Sequence, residues 1–190
     1  MKSKCLVISL LLCSINMIAQ WEEEMYSLYT YANYTKFEAF NSAVDPSSYD
    51  AGLLEAAIFY ETNRQRVKHG LPVFQFDYAL YVCAHNHSVD MVNHNFFSHT
   101  SVVEGKNSMK DRLSQVGYTN CWAAENIAYC DVKSSYAATA QKLLDMWMNS
   151  KGHRENILNP KYTHLGCGIA LCYDKNWLMV KATQNFVFKE

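Results

Sequence analysis

Residues 165–188 read LGCGIALCYDKNWLMVKATQNFVF. Two apolar runs flank a polar quartet, and that layout decides the class of fold. Leu165 to Cys172 is short and apolar. Trp177 to Phe188 alternates, placing Leu178, Val180, Ala182 and Phe186 on one face, which is the period of a half-buried strand. Tyr173 to Asn176 lies between them and includes Asp174 and Asn176, so the two runs are expected to pair as an antiparallel hairpin.

Upstream of the hairpin the apolar period becomes helical. Asp50 caps a helix whose apolar positions Leu53, Ala57 and Tyr60 recur at spacings of four and three, and Gly70 with Pro72 stops it. A second helix starts at Asp77, carries Leu80, Ala84, His87 and Met91 as its inner stripe and runs out near Asn93. Ser108 and Asp111 form a capping-box pattern ahead of Leu113, with Gly117 closing a third helix. A fourth begins near Ser134 and puts Ala137, Ala140, Leu144 and Trp147 on one face. Helices flanking an antiparallel sheet make the fold α+β, a small sheet covered by helices.

A chain of 190 residues holds one domain with a real core plus a leader. Hydrophobic residues at 49% exclude a disordered chain. A net charge of −1 without any Lys/Arg run excludes nucleic acid, or an anionic membrane held by charge, as partner. The opening MKSKCLVISLLLCSINMIAQ is laid out as a secretory signal peptide with cleavage after Ala19. Its apolar run is too short to span a bilayer, so no transmembrane segment is expected in the mature chain. A lipoprotein reading through Cys13 is disfavoured by Leu12 where a small residue belongs. The chain therefore divides into a signal peptide (1–19), a Tyr-rich extension (20–48) and one domain (49–190), secreted or extracytoplasmic.

Export leaves Cys83, Cys121, Cys130, Cys167 and Cys172. Cys83 falls inside a helix and reads as the buried odd thiol. The other four allow three pairings.

Of seven histidines, His85 and His87 lie two apart on a helix and point to different sides, while His69 and His94 sit at helix ends; all four read as structural. His99 ends NHNFFSHT, and His153 follows Gly152 in WMNSKGHRENIL (147–158). Both are expected on loops, where functional side chains are often presented. Glu125 is the lone acid of CWAAENIAYC, either a buried hydrogen-bonded strut or a site carboxylate. Two imidazoles and one carboxylate are a ligand set that can hold Zn²⁺ with a position open.

TNRQRVKHGLPVFQFDYAL, CAHNHSVDMVNHNFFSHTS, DRLSQVGY, AAENIAY, WMNSKGHRENILNPKYTHLGCGIA and ATQNF follow one another between about residues 51 and 188. In this order they resemble the CAP superfamily, or SCP domain, of cysteine-rich secretory, antigen-five and pathogenesis-related proteins, in its bacterial secreted form. The resemblance implies an α-β-α sandwich around a three-stranded antiparallel sheet, with the third strand near Glu125 to Cys130. It implies a central cleft formed by His99, Glu125 and His153, with His99 and His153 as ligands of a divalent metal such as Zn²⁺. Two positions depart from the pattern. Ala124 replaces the glycine before the acid, and Ser150 stands in the cleft where eukaryotic members carry a second glutamate, leaving a two-histidine, one-glutamate site.

On this reading Ser150 and Gly152 end the fourth helix and turn His153 into the cleft, while Arg154 and Asn156 bind local groups. The expected function is a secreted binding module that takes a metal and a small lipid or peptide ligand without turnover. The alternative is a metal-dependent peptidase or esterase using His99, His153 and Glu125. A thiol enzyme built on Cys83 ranks below both, because a buried mid-helix thiol is inert. The nine-residue spacing of Cys121 and Cys130 in an exported chain makes their bridge the expected disulfide. The sequence does not give the oligomeric state.

Overall fold

A computed structural model of the protein describes residues 25–189; the leader, with Cys5, Cys13 and Ala19, lies outside the described residues. The described residues open with a helical turn α1 (Met25–Leu28), a 3-10 turn (Tyr34–Lys36) and α2 (Glu38–Asn41), followed by the long α3 (Ala51–Lys68). Then come β1 (Gln75–Phe76), α4 (Tyr78–Asn93), α5 (Met109–Gln115), β2 (Ala123–Asp131), α6 (Tyr136–Asn149), α7 (Lys151–Ile157), β3 (His164–Asp174) and β4 (Trp177–Val187).

The helix starts follow their caps. Asp50, Asp77, Ser108 and Ser135 each accept a backbone N–H from the first turn of α3, α4, α5 and α6, which satisfies donors a helix leaves orphaned. The Ser108–Asp111 capping box is present in both directions.

The sheet has the order β1-β3-β4-β2. β4 is central and runs antiparallel to both β3 and β2. The expected sheet of three antiparallel strands gains a fourth, β1, which pairs with β3 in parallel through Gln75 and Phe76 alone. Two residues cannot display an alternation, so no period announces this strand. The hairpin is tighter than the expected four-residue turn, because Asp174 still pairs with Trp177.

Period two in β4 assigns its faces. Val180, Ala182 and Phe186 join the main core with Leu54, Ile58, Leu143, Leu144 and Trp147 from α3 and α6. Val187 packs on the other face with Leu80, Cys83 and Leu113 of α4 and α5. The result is three layers, α3/α6, sheet and α4/α5, and each fully buried aliphatic or aromatic side chain stabilises them by roughly 1.5–3 kcal/mol. Residues 25–48 lay Tyr34, Phe40 and Val44 into the main core, and Tyr34 donates its hydroxyl to Glu61 at 2.8 Å.

Arg66 of α3 is buried and donates to the carbonyls of Pro72, Ile157, Asn159 and Tyr162. It ties the segment before β1 to the end of α7. Burial pushes its guanidinium down to about 10, still protonated at neutral pH.

The expected Cys121–Cys130 bridge is not formed; the five described cysteines are free thiols. Cys130 lies inside β2, which begins two residues after Cys121. Nine residues of near-extended chain place their Cα atoms roughly 30 Å apart, far beyond disulfide reach. A spacing that suits a loop is excluded on a strand.

α4 crosses β3 at two glycines. A Cβ on Gly166 would lie 2.1 Å from the Tyr81 nitrogen, and one on Gly168 2.1 Å from the His85 nitrogen. The closeness lets Ser88 donate to the Gly168 carbonyl at 3.0 Å. Replacing Gly168 by alanine drives a methyl into helix backbone that cannot yield. Urea unfolding is expected to show a loss of about 3 kcal/mol, the upper end of overpacking costs; a loss below about 1 kcal/mol contradicts this packing.

Candidate functional site

β2 forms one edge of the sheet, and its third residue is Glu125. The carboxylate is 3% exposed and faces Arg112 of α5, equally buried. Arg112 Nη2 donates to both carboxylate oxygens at 2.9 and 2.7 Å. Its Nη1 donates to the carbonyls of His99 and Lys106 at 3.2 and 3.1 Å. One guanidinium therefore fastens the acid and both ends of the 99–106 loop. The capping box at Ser108 sets where α5 starts and so where Arg112 stands.

His99 lies in that loop, 54% exposed at its side chain, with Nδ1 at 2.9 Å from Glu125 Oε1. Burial pushes the Glu125 carboxyl up, but the His99 bond and the Arg112 and His87 charges together carry it below the usual range. An ionised carboxylate only accepts, so Nδ1 is the donor. In the neutral ring the lone pair then sits on Nε2, and no described residue bonds to it.

His87 of α4 lies beneath, fully buried, with Nε2 at 3.1 Å from the Ser98 carbonyl and 3.9 Å from Glu125 Oε1. Burial pushes its pKa to about 4, and the Arg112 charge adds to that. The ring is therefore neutral and donates to Ser98, fixing the residue before His99.

His153 approaches from α7. The expected loop placement is corrected: Ser150 alone interrupts the chain, with φ −94° and ψ 125°, and the helix resumes at Lys151. Gly152 does not end the helix but lies within it, with nothing near its α-carbon side. Trp147 anchors α6 by donating Nε1 to the Ile127 carbonyl at 3.0 Å. Asn126, next to Glu125, donates to the His153 carbonyl at 3.1 Å and accepts from Asn156 at 2.9 Å. Arg154 donates to the Met148 carbonyl. The His153 imidazole is half-buried, and burial, then the charge of His99, lowers its pKa. Ser150 is the N-cap of α7, three residues before His153 and outside the helix itself.

His85, two residues from His87, turns to Glu55 of α3 at 2.6 Å, away from Glu125. His69 and His94 are the C-cap residues of α3 and α4. Cys83 is buried with its thiol pushed up to about 12 by desolvation, which leaves it no thiolate at neutral pH.

Sequence reasoning missed Arg112 and the part played by His87. The isolation of Glu125 in an apolar segment was the available signal, since a buried carboxylate demands a countercharge. Among the described residues no group of three or more His, Cys, Asp or Glu side chains is arranged to hold a metal. The donors available are the His99 and His153 rings; the oxygens of Glu125 are already engaged. A neutral imidazole whose other nitrogen donates to a carboxylate is the usual posture of a metal-bound histidine, and His99 fits it.

The family model described as the cysteine-rich secretory protein family, CAP, matches residues 59–186. Over 133 residues the chain is 41% identical to the uncharacterized membrane protein YlbC of Bacillus subtilis (strain 168), covering 70% of this chain and 34% of that protein. Over 123 residues it is 39% identical to YkwD of the same organism, covering 65% and 44%. The chain thus spans less than half the length of either. Among solved structures it is similar to an extracellular protein containing an SCP domain from Bacillus anthracis str. Ames. The two share 35% identity at a TM-score of 0.60, over 76% of this chain and 44% of that one. An outer surface protein from Borrelia burgdorferi shares the fold at a TM-score of 0.54 and 16% identity, over 70% and 90%.

Arg112→Met removes the countercharge of Glu125 in the interior and leaves it only the His99 bond. Urea unfolding is expected to show a loss of about 3–5 kcal/mol. Arg112→Met/Glu125→Leu removes both charges and is expected to recover most of it; a double variant no better than the single contradicts a desolvated ion pair.

Proposed function

The chain belongs to the cysteine-rich secretory protein (CAP) family, and from that premise we propose that it is an extracytoplasmic binding protein whose His99/Glu125/His153 cleft takes a divalent metal and a small lipid or peptide ligand without turnover. The observation that carries this reading is the His99 Nδ1–Glu125 bond, which orients the ring and commits its second nitrogen outward from the carboxylate. His99 and His153 are the two protein ligands, and Zn²⁺ is the cation best matched to paired imidazoles. Glu125 supports His99 from behind instead of binding the metal itself. Bound there, Zn²⁺ supplies a Lewis-acid contact for a ligand oxygen.

The absence of turnover follows from Arg112. Its guanidinium compensates the one buried carboxylate of the cleft, and a compensated carboxylate of lowered pKa is a poor general base near neutrality. Ser150 supplies no second acid. The hydrolase alternative needs Glu125 released from Arg112. The export reading is supported by the leader pattern and by the extracellular relative from Bacillus anthracis. Among the described residues no helix is long and apolar enough to cross a membrane.

Isothermal titration of Zn²⁺ tests the cleft. One equivalent is expected to bind wild type, with binding lost in His99→Ala/His153→Ala. In Glu125→Gln affinity is expected to fall about 10- to 100-fold, as when an outer-shell partner is removed. Unchanged affinity in the double variant sinks the metal reading. Zn²⁺-dependent hydrolysis of a mixed peptide and ester library sinks the claim of no turnover.

A further inference from the structure

About four residues along β2 from Glu125, the same face of the sheet opens into a second hollow. Tyr129 is on that face, roughly 13 Å from Glu125 at the rise of a strand, and it borders a cavity of about 500 Å³. Phe96, Phe97, Cys172, Tyr173 and Lys181 line it as well. The volume lies within the range of small-molecule sites.

Four of the lining side chains are aromatic, and two of those face solvent. Phe97 is 46% exposed and Tyr173 65%. The Phe97 and Tyr129 rings stand 5.9 Å apart at 41°. The hydrophobic effect disfavours leaving such rings in water, so an apolar body entering between them is stabilised.

Lys181 supplies the polar element. It is 7% exposed, and its ammonium donates to the carbonyls of Met91 and Phe96 at 2.8 and 3.0 Å. These bonds close the C-terminal end of α4, where a cation is favoured, and they explain why a lysine is tolerated there. They use two of three N–H groups. The ammonium lies 5.6 Å from the centre of the Tyr129 ring, and no described carboxylate forms an ion pair with it. A buried cation that no described carboxylate pairs with, lining a cavity, is an anchor for an anion.

We propose that this cavity is a binding site for a small monoanion with an aromatic or short acyl body, the anion seated on Lys181 and the body held between Phe97, Tyr129 and Tyr173. Asp174 sets the limit of charge. It lines the same cavity and accepts from the Tyr129 hydroxyl at 3.4 Å, so its carboxylate repels a second negative group. The site therefore selects monoanions over dianions. It does not depend on the metal reading of the cleft, since it shares none of His99, Glu125, Ser150 or His153.

Naphthalene-2-carboxylate and naphthalene-2-carboxamide, which share a body and differ in charge, are the probes. Isothermal titration into the protein is expected to show one site with the carboxylate bound at least tenfold tighter than the amide. Lys181→Met should abolish that preference and leave the amide unchanged. Asp174 is exposed, so Asp174→Asn keeps the fold intact and should tighten the carboxylate severalfold. Saturating carboxylate should also slow alkylation of Cys172 by N-ethylmaleimide at least tenfold. Equal affinity for the two probes, binding of neither, or an unprotected Cys172 overturns the proposal. A carboxylate affinity that Asp174→Asn leaves unmoved overturns it too, whether or not Lys181→Met folds.

Discussion

The Arg112–Glu125 pair is the interaction on which the rest of the candidate site depends. Desolvating both groups costs several kcal/mol each before any attraction is counted, so a hydrophobic pair of similar volume would serve stability as well. What the pair supplies is registration. Nη2 holds β2, and Nη1 holds the carbonyls of His99 and Lys106, so a strand, a helix and a loop meet at one guanidinium. The orientation of the His99 ring follows from this, because the carboxylate it donates to is already fixed.

The second constraint is the approach of α4 to β3. Without Cβ atoms at Gly166 and Gly168, helix backbone rests directly on strand backbone. His87 then reaches the Ser98 carbonyl from below, while His85, turned the other way, meets Glu55. One helix so serves two carboxylates on opposite sides, Glu125 of β2 and Glu55 of α3. Arg66 does the corresponding work beyond α7 by gathering the carbonyls around Ile157 and Tyr162. The helix that carries His153 is thereby held at its far end.

Much of this was legible because its causes are local. Asp50, Asp77 and Ser108 announce helix starts within four residues of themselves, and β4 shows its two faces in its own alternation. The lone acid at Glu125 was visible as an anomaly. What was not legible depends on partners distant in sequence or on segments too short to have a period. β1 has two residues, and Arg112 reads as an ordinary helix arginine until β2 is laid beside it. α7 was hidden because Gly152 suggests a stop, yet a helix on the surface tolerates a glycine at a cost of about 1 kcal/mol. The Cys121–Cys130 expectation failed for a reason of the same kind, since linear spacing means one thing in a loop and another in an extended chain.

The free thiols carry a consequence for how the molecule reaches its folded state. Cross-links stabilise a fold chiefly by narrowing the ensemble it leaves behind, and none is present among the described cysteines. Stability here comes from apolar burial and from polar contacts such as those of Arg66 and Trp147. The described residues therefore reach their folded state with every thiol reduced, and of those five thiols Cys121 and Cys172 are the two that burial does not fully shield.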